Sequence, residues 1–373
     1  MKKITLWTIY LASAVSAISA QTVTTGAVGY NRITCPTNAD TIVGVPFQAQ
    51  GSIACRLNAA PAVSGSKATL TLNLSTLTPG GLTGHYVRFV GGTRDGRWYD
   101  VLTASPDTNT ASTVTINLNG DNLAGVLNGN SLVIARYWTL ATLFPPAQAT
   151  SSWAETPPGS GNFVPNGHAV VASGGTTASQ RRTQLGLPNL TGTGIDRPGV
   201  DTFYITGGEW RKQGIAGNFG TTILFPDSHM SISHPSSVTR PTIFRSFGDV
   251  VHTPFTIPLA TNVTGKRDSY IAIPRPIPLR LNQLNLLESG AFVQSANISA
   301  SGRQDELLVY ATPSSFLNKT PTSSYFAFGG NWRIQGDTNP QNTAIIPAGA
   351  AITVRKAPTL GGVTTHWLNT PTY

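Results

Sequence analysis

Apolar and polar residues alternate along much of the chain in short runs. In Thr69-Leu70-Thr71-Leu72-Asn73-Leu74 the three leucines fall on one side of an extended backbone, with Thr69, Thr71 and Asn73 on the other. Thr113-Val114-Thr115-Ile116-Asn117-Leu118 repeats the pattern. A period of two predicts strands that bury one face and wet the other. Turn formers separate the runs, as in Pro79-Gly80-Gly81, Asn119-Gly120-Asp121 and Asn128-Gly129-Asn130. Helical periodicity is nearly missing. Its best candidate runs from Leu279 to Leu287, between Pro278 and Gly290. The pattern predicts an all-β chain, arranged as two β-sandwich or barrel-like domains of short antiparallel strands.

A Pro-, Gly- and Ser-rich stretch at 149–200 interrupts the pattern. It holds Pro157-Pro158-Gly159-Ser160-Gly161 and Gly174-Gly175. It reads as a linker, or as a long insertion with short strands such as Ala169-Val170-Val171. The expected division is an N-terminal β domain at 21–148 and a C-terminal one at 201–373.

The second of these contains an internal repeat. Residues 202–214 resemble residues 324–336, with identities at Gly207/Gly329, Gly208/Gly330, Trp210/Trp332, Arg211/Arg333, Gln213/Gln335 and Gly214/Gly336. The correspondence continues through Met230-Ser231-Ile232 and Ile352-Thr353-Val354, giving units of about 202–234 and 324–356. A weaker echo lies at Tyr86 to Gly92, followed by Arg97-Trp98. Gly-Gly supplies the positive φ of a hairpin turn, and Trp-Arg opens the return strand. Trp210 and Trp332 then either close the hairpin in the core or, with Arg211 and Arg333, form a ligand platform.

Composition narrows the class. Charged residues are 11% of the 373, under half the share of an ordinary soluble domain, whereas Thr numbers 49 and Gly 38. A coiled coil, a helical bundle and a charged disordered tail are excluded. Lys2 and Lys3, the apolar run Ile4 to Ala14, and Ser16, Ala17, Ser19 and Ala20 before Gln21 follow the order of an export signal at 1–20. No later run is long enough for a transmembrane helix. Cys35 and Cys55 flank the apolar run Thr41 to Phe47, and an oxidising compartment would permit a disulfide between them; two buried thiols are the alternative.

Reactive chemistry is sparse. Elbow, zinc-helix and phosphate-loop motifs are missing, and neither a metal nor a cofactor is expected. The sharpest polar cluster is Asp227-Ser228-His229, with His234 beyond it. On a strand Asp227 and His229 share a face and His234 points away, which disfavours a two-histidine metal site. The cluster reads as a turn with two exposed histidines, or as a proton-transfer pair. Basic residues exceed acidic ones by 25 to 16, in scattered positions such as Arg88, Arg94, Arg97, Arg181, Arg182, Arg355 and Lys356. That distribution argues against nucleic acid and reads as dispersed arginine on a low-charge surface, while the net positive field would suit anionic glycans or cell-envelope polymers as partners.

Several segments resemble a family of exported bacterial proteins of about this length, found in verrucomicrobial-type genomes and without an established function. They are Val28-Gly29-Tyr30, Asp40 to Phe47, Gly96-Arg97-Trp98, Tyr137 to Pro145, Asp268 to Pro276, and Gly330-Asn331-Trp332-Arg333. The resemblance implies export and a shared fold and transfers no site residues. The expected function is a non-catalytic exported β-protein at the cell surface or outside the cell, with the periplasm as the other location. It would be structural or adhesive, through self-assembly or glycan contact. The alternatives are an extracellular carbohydrate-active hydrolase or lyase, and an outer-membrane β-barrel, to which the terminal Tyr373 points.

Overall fold

A computed structural model describes residues 27–74, 77, 81–102, 112–197, 199–310, 317 and 320–372. The expected signal segment lies outside them. The chain is all-β, and the alternating runs become strands. Lys67–Thr71 and Thr113–Asn117 pair antiparallel with Leu70 opposite Val114, and Ala62–Ser64 completes a three-stranded sheet. Their buried face packs on a four-stranded sheet ordered Ile53–Arg56, Ser131–Arg136, His85–Val90, Trp98–Asp100. Leu70, Ile116, Val87, Phe89 and Ile134 meet in the core of this sandwich. Each such side chain contributes about 1.5–3 kcal/mol by leaving water. Asn119 and Gly120 hold φ of 50° and 83° where the turn was expected.

Two five-stranded sheets share one strand order. The first runs Glu209–Lys212, Asp201–Thr206, Gln184–Leu187, Met230–His234, Ala39–Val43; the second runs Asn331–Ile334, Ser323–Phe328, Glu306–Tyr310, Ala351–Lys356, Arg267–Ala272. Their Gly-Gly hairpins have the same register, Ile205 facing Trp210 and Ala327 facing Trp332. Gly207 and Gly329 have φ of 60°, and Gly208 and Gly330 have φ of 75°, values that penalise a side chain with a Cβ. Buried polar groups correspond at the same spacing of 122. Val171 N–H donates to Thr183 Oγ1 (2.9 Å), and Val293 N–H donates to the Asp305 carboxylate (2.7 Å). Thr183 contacts His234 (3.0 Å), and Asp305 pairs with Lys356.

Strands on both sides of 149–200 share sheets. Val28–Cys35 pairs with Thr242–Asp249, and Ala39–Val43 pairs with Met230–His234. The stretch itself supplies Gln184–Leu187, the middle strand of the first five-stranded sheet. A boundary drawn there therefore cuts through hydrogen-bonded units. The two five-stranded sheets touch at Gly44, whose amide donates to Gly349 O (3.0 Å); a Cβ at Gly44 would lie 2.6 Å from that of Ala272.

Two expectations are corrected. Cys35 and Cys55 are free, because Cys35 is buried in the core of the first five-stranded sheet and Cys55 in the sandwich core. Burial pushes both thiols up, to about 11 and about 12, so neither is poised to react. The helix candidate at Leu279 is a short strand, Leu279–Arg280, followed by a 3-10 turn at Leu281–Gln283. Leu279, Leu281, Leu284 and Leu286 are all buried, so irregular backbone satisfies the apolar pattern where a helix this short is costly to nucleate.

Candidate functional site

Trp210 and Trp332 offer no platform. Both are buried, and the Trp210 indole N–H donates to Phe144 O at 3.1 Å while Trp332 packs on Phe292. Cross-strand pairing to Ile205 and Ala327 turns both indoles into their cores. Arg211 pairs locally with Glu209 (2.6 Å), and Arg333 lies over Phe328. The two Trp-Arg units therefore lock their hairpins. Trp210→Ala is expected to lower the unfolding free energy by about 3–5 kcal/mol, and Arg211→Ala by less than about 0.5. Urea midpoints measure both, and equal effects would contradict the assignment.

Asp227 and His229 do not form a proton-transfer pair. No hydrogen bond joins their side chains among the described residues. The His229 ring lies between Tyr270 (5.3 Å) and Tyr310 (6.1 Å), and its Nδ1 is buried without a partner. The expected exposure of the histidines is also wrong: His229 is 8% exposed and His234 is 0%. His234 alternates with Met230 and Ile232 onto the core face, where Thr183 and Thr242 satisfy its two ring nitrogens.

Asp227 does line a cleft of about 670 Å³. One wall is Trp98, at the start of the sandwich's last strand. Trp98 packs edge-on to Tyr86 and Tyr137 and tilts against Phe225 and Phe255 at 6.2 and 6.3 Å. The edge strand Arg267–Ala272 also lines the cleft, with Arg267, Ser269 and Tyr270 among its lining residues. The paired strands Phe255–Ala260 and Thr364–Asn369 contribute further lining residues. Period two turns Trp367 into the core and His366 into the cleft.

The electrostatics of the cleft are uneven. Burial works against the Asp121 charge, but Arg97 and the Tyr99 hydroxyl (2.7 Å) hold that carboxyl below the ordinary range. Asp268 is buried and gripped twice by Arg355, at 2.8 and 3.0 Å. Asp227 differs. Burial pushes its carboxyl up to about 7, against a backbone contact that lowers it, and the Asp100 charge adds to the rise. Burial lowers His366, and the Arg97 and Arg94 charges add to this against Asp121. The Arg197 guanidinium donates to Gly192 O and Asp268 O and lies 5.1 Å above the Tyr270 ring. Arg267 lines the wall without an ion-pair partner among the described residues.

Sequence reading named Asp227 and missed the rest. Trp98 belongs to the weak echo of the Trp-Arg unit, and of the three tryptophans in that pattern it alone keeps an accessible surface on the cleft. Arg97, Trp98 and Asp268 to Ile271 fall in segments that carried the family resemblance but had been given no role. No protein-family model matches the chain, and no curated protein matches it at a significant level.

Proposed function

We propose that this is an exported, non-catalytic β-protein that holds a polysaccharide chain of the cell surface or surrounding matrix in the Trp98–Tyr270 cleft. The cleft carries the reading: its lining combines the aromatic side chains of Trp98, Phe225 and Tyr270 with hydrogen-bonding groups. Aromatic rings bury the apolar faces of sugar rings at low entropic cost, and the polar groups around them fix orientation. Asp121 and Asp268 are already held by arginines, which suits a rigid binding wall. The segment at 1–20 supports export by its charge, apolar run and small residues.

Retention of the mature protein on a panel of neutral and acidic polysaccharides tests this. Trp98→Ala and Phe225→Ala are each expected to weaken binding about tenfold. Phe225 is 37% exposed, so its replacement leaves the fold intact and controls for the partly buried Trp98. Failure of the wild-type protein to bind any member of the panel would overturn the reading. The Asp227 carboxyl favours a second reading, a glycan hydrolase with Asp227 as proton donor. Release of reducing ends by the wild type, lost in Asp227→Asn, would establish that reading instead.

A further inference from the structure

Arginines on a low-charge surface ordinarily find a carboxylate. The cleft contains three guanidiniums with different fates. Arg97 is paired with Asp121. Arg197 is held by two carbonyls and stacked on Tyr270, but no carboxylate reaches it among the described residues, and its Nε is buried without a partner. The Arg267 side chain, half-buried at the head of the edge strand, has neither an ion pair nor a hydrogen bond among the described residues. The carboxylate nearest in sequence, Asp268, also lines the cleft but is taken by Arg355. Glu306 is taken by Lys266. The wall thus gathers two positive charges and leaves both without an anion, in a trough whose apolar walls strengthen their field. A half-buried charge without a counter-charge destabilises the protein that carries it, which is the signature of a site completed by something else.

We propose that the Arg267 guanidinium takes a carboxylate or a sulfate ester borne by a sugar of the bound chain, with Arg197 as the second cation of the subsite. The inference rests on the glycan reading and adds the chemical class: an acidic polysaccharide, made of uronic acids or sulfated sugars. A planar guanidinium matches either oxyanion with two parallel N–H donors, which a lysine in its place would not reproduce.

The test uses the mature full-length protein with two kinds of probe. Polygalacturonate and dextran sulfate separate the carboxylate from the sulfate source, and uncharged dextran is the neutral arm. Arg267→Gln should weaken binding of one acidic polymer by about 10- to 100-fold and flatten its salt dependence, while any binding of dextran is unchanged. Arg211→Gln, remote from the cleft, should bind as the wild type does. Independently of polymers, free galacturonate or sulfate at fixed ionic strength should raise the thermal midpoint of the wild type and not of Arg267→Gln. Without ligand, Arg267→Gln should melt no lower than the wild type, because it removes an uncompensated charge. Equal acidic-polymer binding by Arg267→Gln and wild type, with Trp98→Ala still impaired, would sink the anion subsite and leave the glycan reading standing. Absence of wild-type binding to every polymer would sink both.

Discussion

Asp305→Ala should cost this protein about 3–5 kcal/mol of unfolding free energy, measured as a fall in the urea midpoint at constant slope. Asp305 is fully buried, and one of its oxygens accepts from both Lys356 Nζ and Val293 N–H (2.7 Å). The other accepts from Ala357 N–H at 2.7 Å. Alanine would leave a buried ammonium ion without its counter-charge and two amides without acceptors. The first five-stranded sheet shows what an uncharged solution looks like. Threonine and histidine occupy the positions equivalent to Asp305 and Lys356, and Ala169 O takes the place of Ala291 O as terminal acceptor. The double replacement Asp305→Thr with Lys356→His should therefore recover much of the loss. A single replacement costing under about 1 kcal/mol would show that the buried pair is not integral to the second core.

Acidification should unfold the protein well above the range in which carboxylates titrate. Burial lowers His168, His229 and His234 to about 4 each, from an ordinary 6.5. Geometry gives the cause for two of them. The Thr242 hydroxyl donates to Ala169 O (2.8 Å), so it must accept from His234 Nε2–H (2.7 Å), and His234 Nδ1 must accept from Thr183 (3.0 Å). His168 Nε2–H donates to Pro145 O (3.0 Å), and its Nδ1 accepts from Val170 N–H (3.1 Å). A second ring proton would set donor against donor at either site. Between pH 6.5 and about 4 the unfolded chain therefore binds protons that the folded chain refuses. The stability from these histidines is complete above 6.5 and is lost as the pH falls through that window, by up to about 3 kcal/mol for each. Asp227 acts in the opposite sense. Its folded carboxyl binds a proton below about 7 that the unfolded one releases above its ordinary 3.8. Its contribution is present at low pH and fades as the pH rises, and solvent access to this half-buried group reduces its size. The three large histidine shifts oppose one carboxyl, and the smaller downward shifts of His85 and His366 act with them, so the urea midpoint should drop steeply from pH 6.5 to 4.5, and His234→Gln should flatten that slope. A midpoint level across the window would refute the assignment.

What the sequence disclosed follows the range of the interactions involved. The alternation at Thr69 to Leu74, the Asn119-Gly120 turn and the Gly-Gly hairpins are local, and all three are found where they were read. The same local logic could not tell that the tryptophans of those hairpins face inward, since either face of a strand accepts an indole. Burial of His234 depends on Thr183, 51 positions earlier, and on Thr242 in the next strand. The cleft is assembled from residues between Arg97 and His366, so no window of the sequence contains it. Asp227 was noticed for the wrong partner, and Trp98 and Tyr270 were noticed without a role.

The pairing of the two earliest strands has a kinetic consequence. Val43 and Met230, its neighbour across the sheet, are 187 positions apart, and Val28 meets Asp249. Most of the entropy of closing those loops must be surrendered before any contact compensates for it, which places the chain among slow folders of high contact order. A polypeptide emerging amino-terminus first would carry unmated β-edges until more than half its length had followed. Delayed closure of this kind makes such a chain depend on holding factors to keep its early strands from finding partners in other molecules.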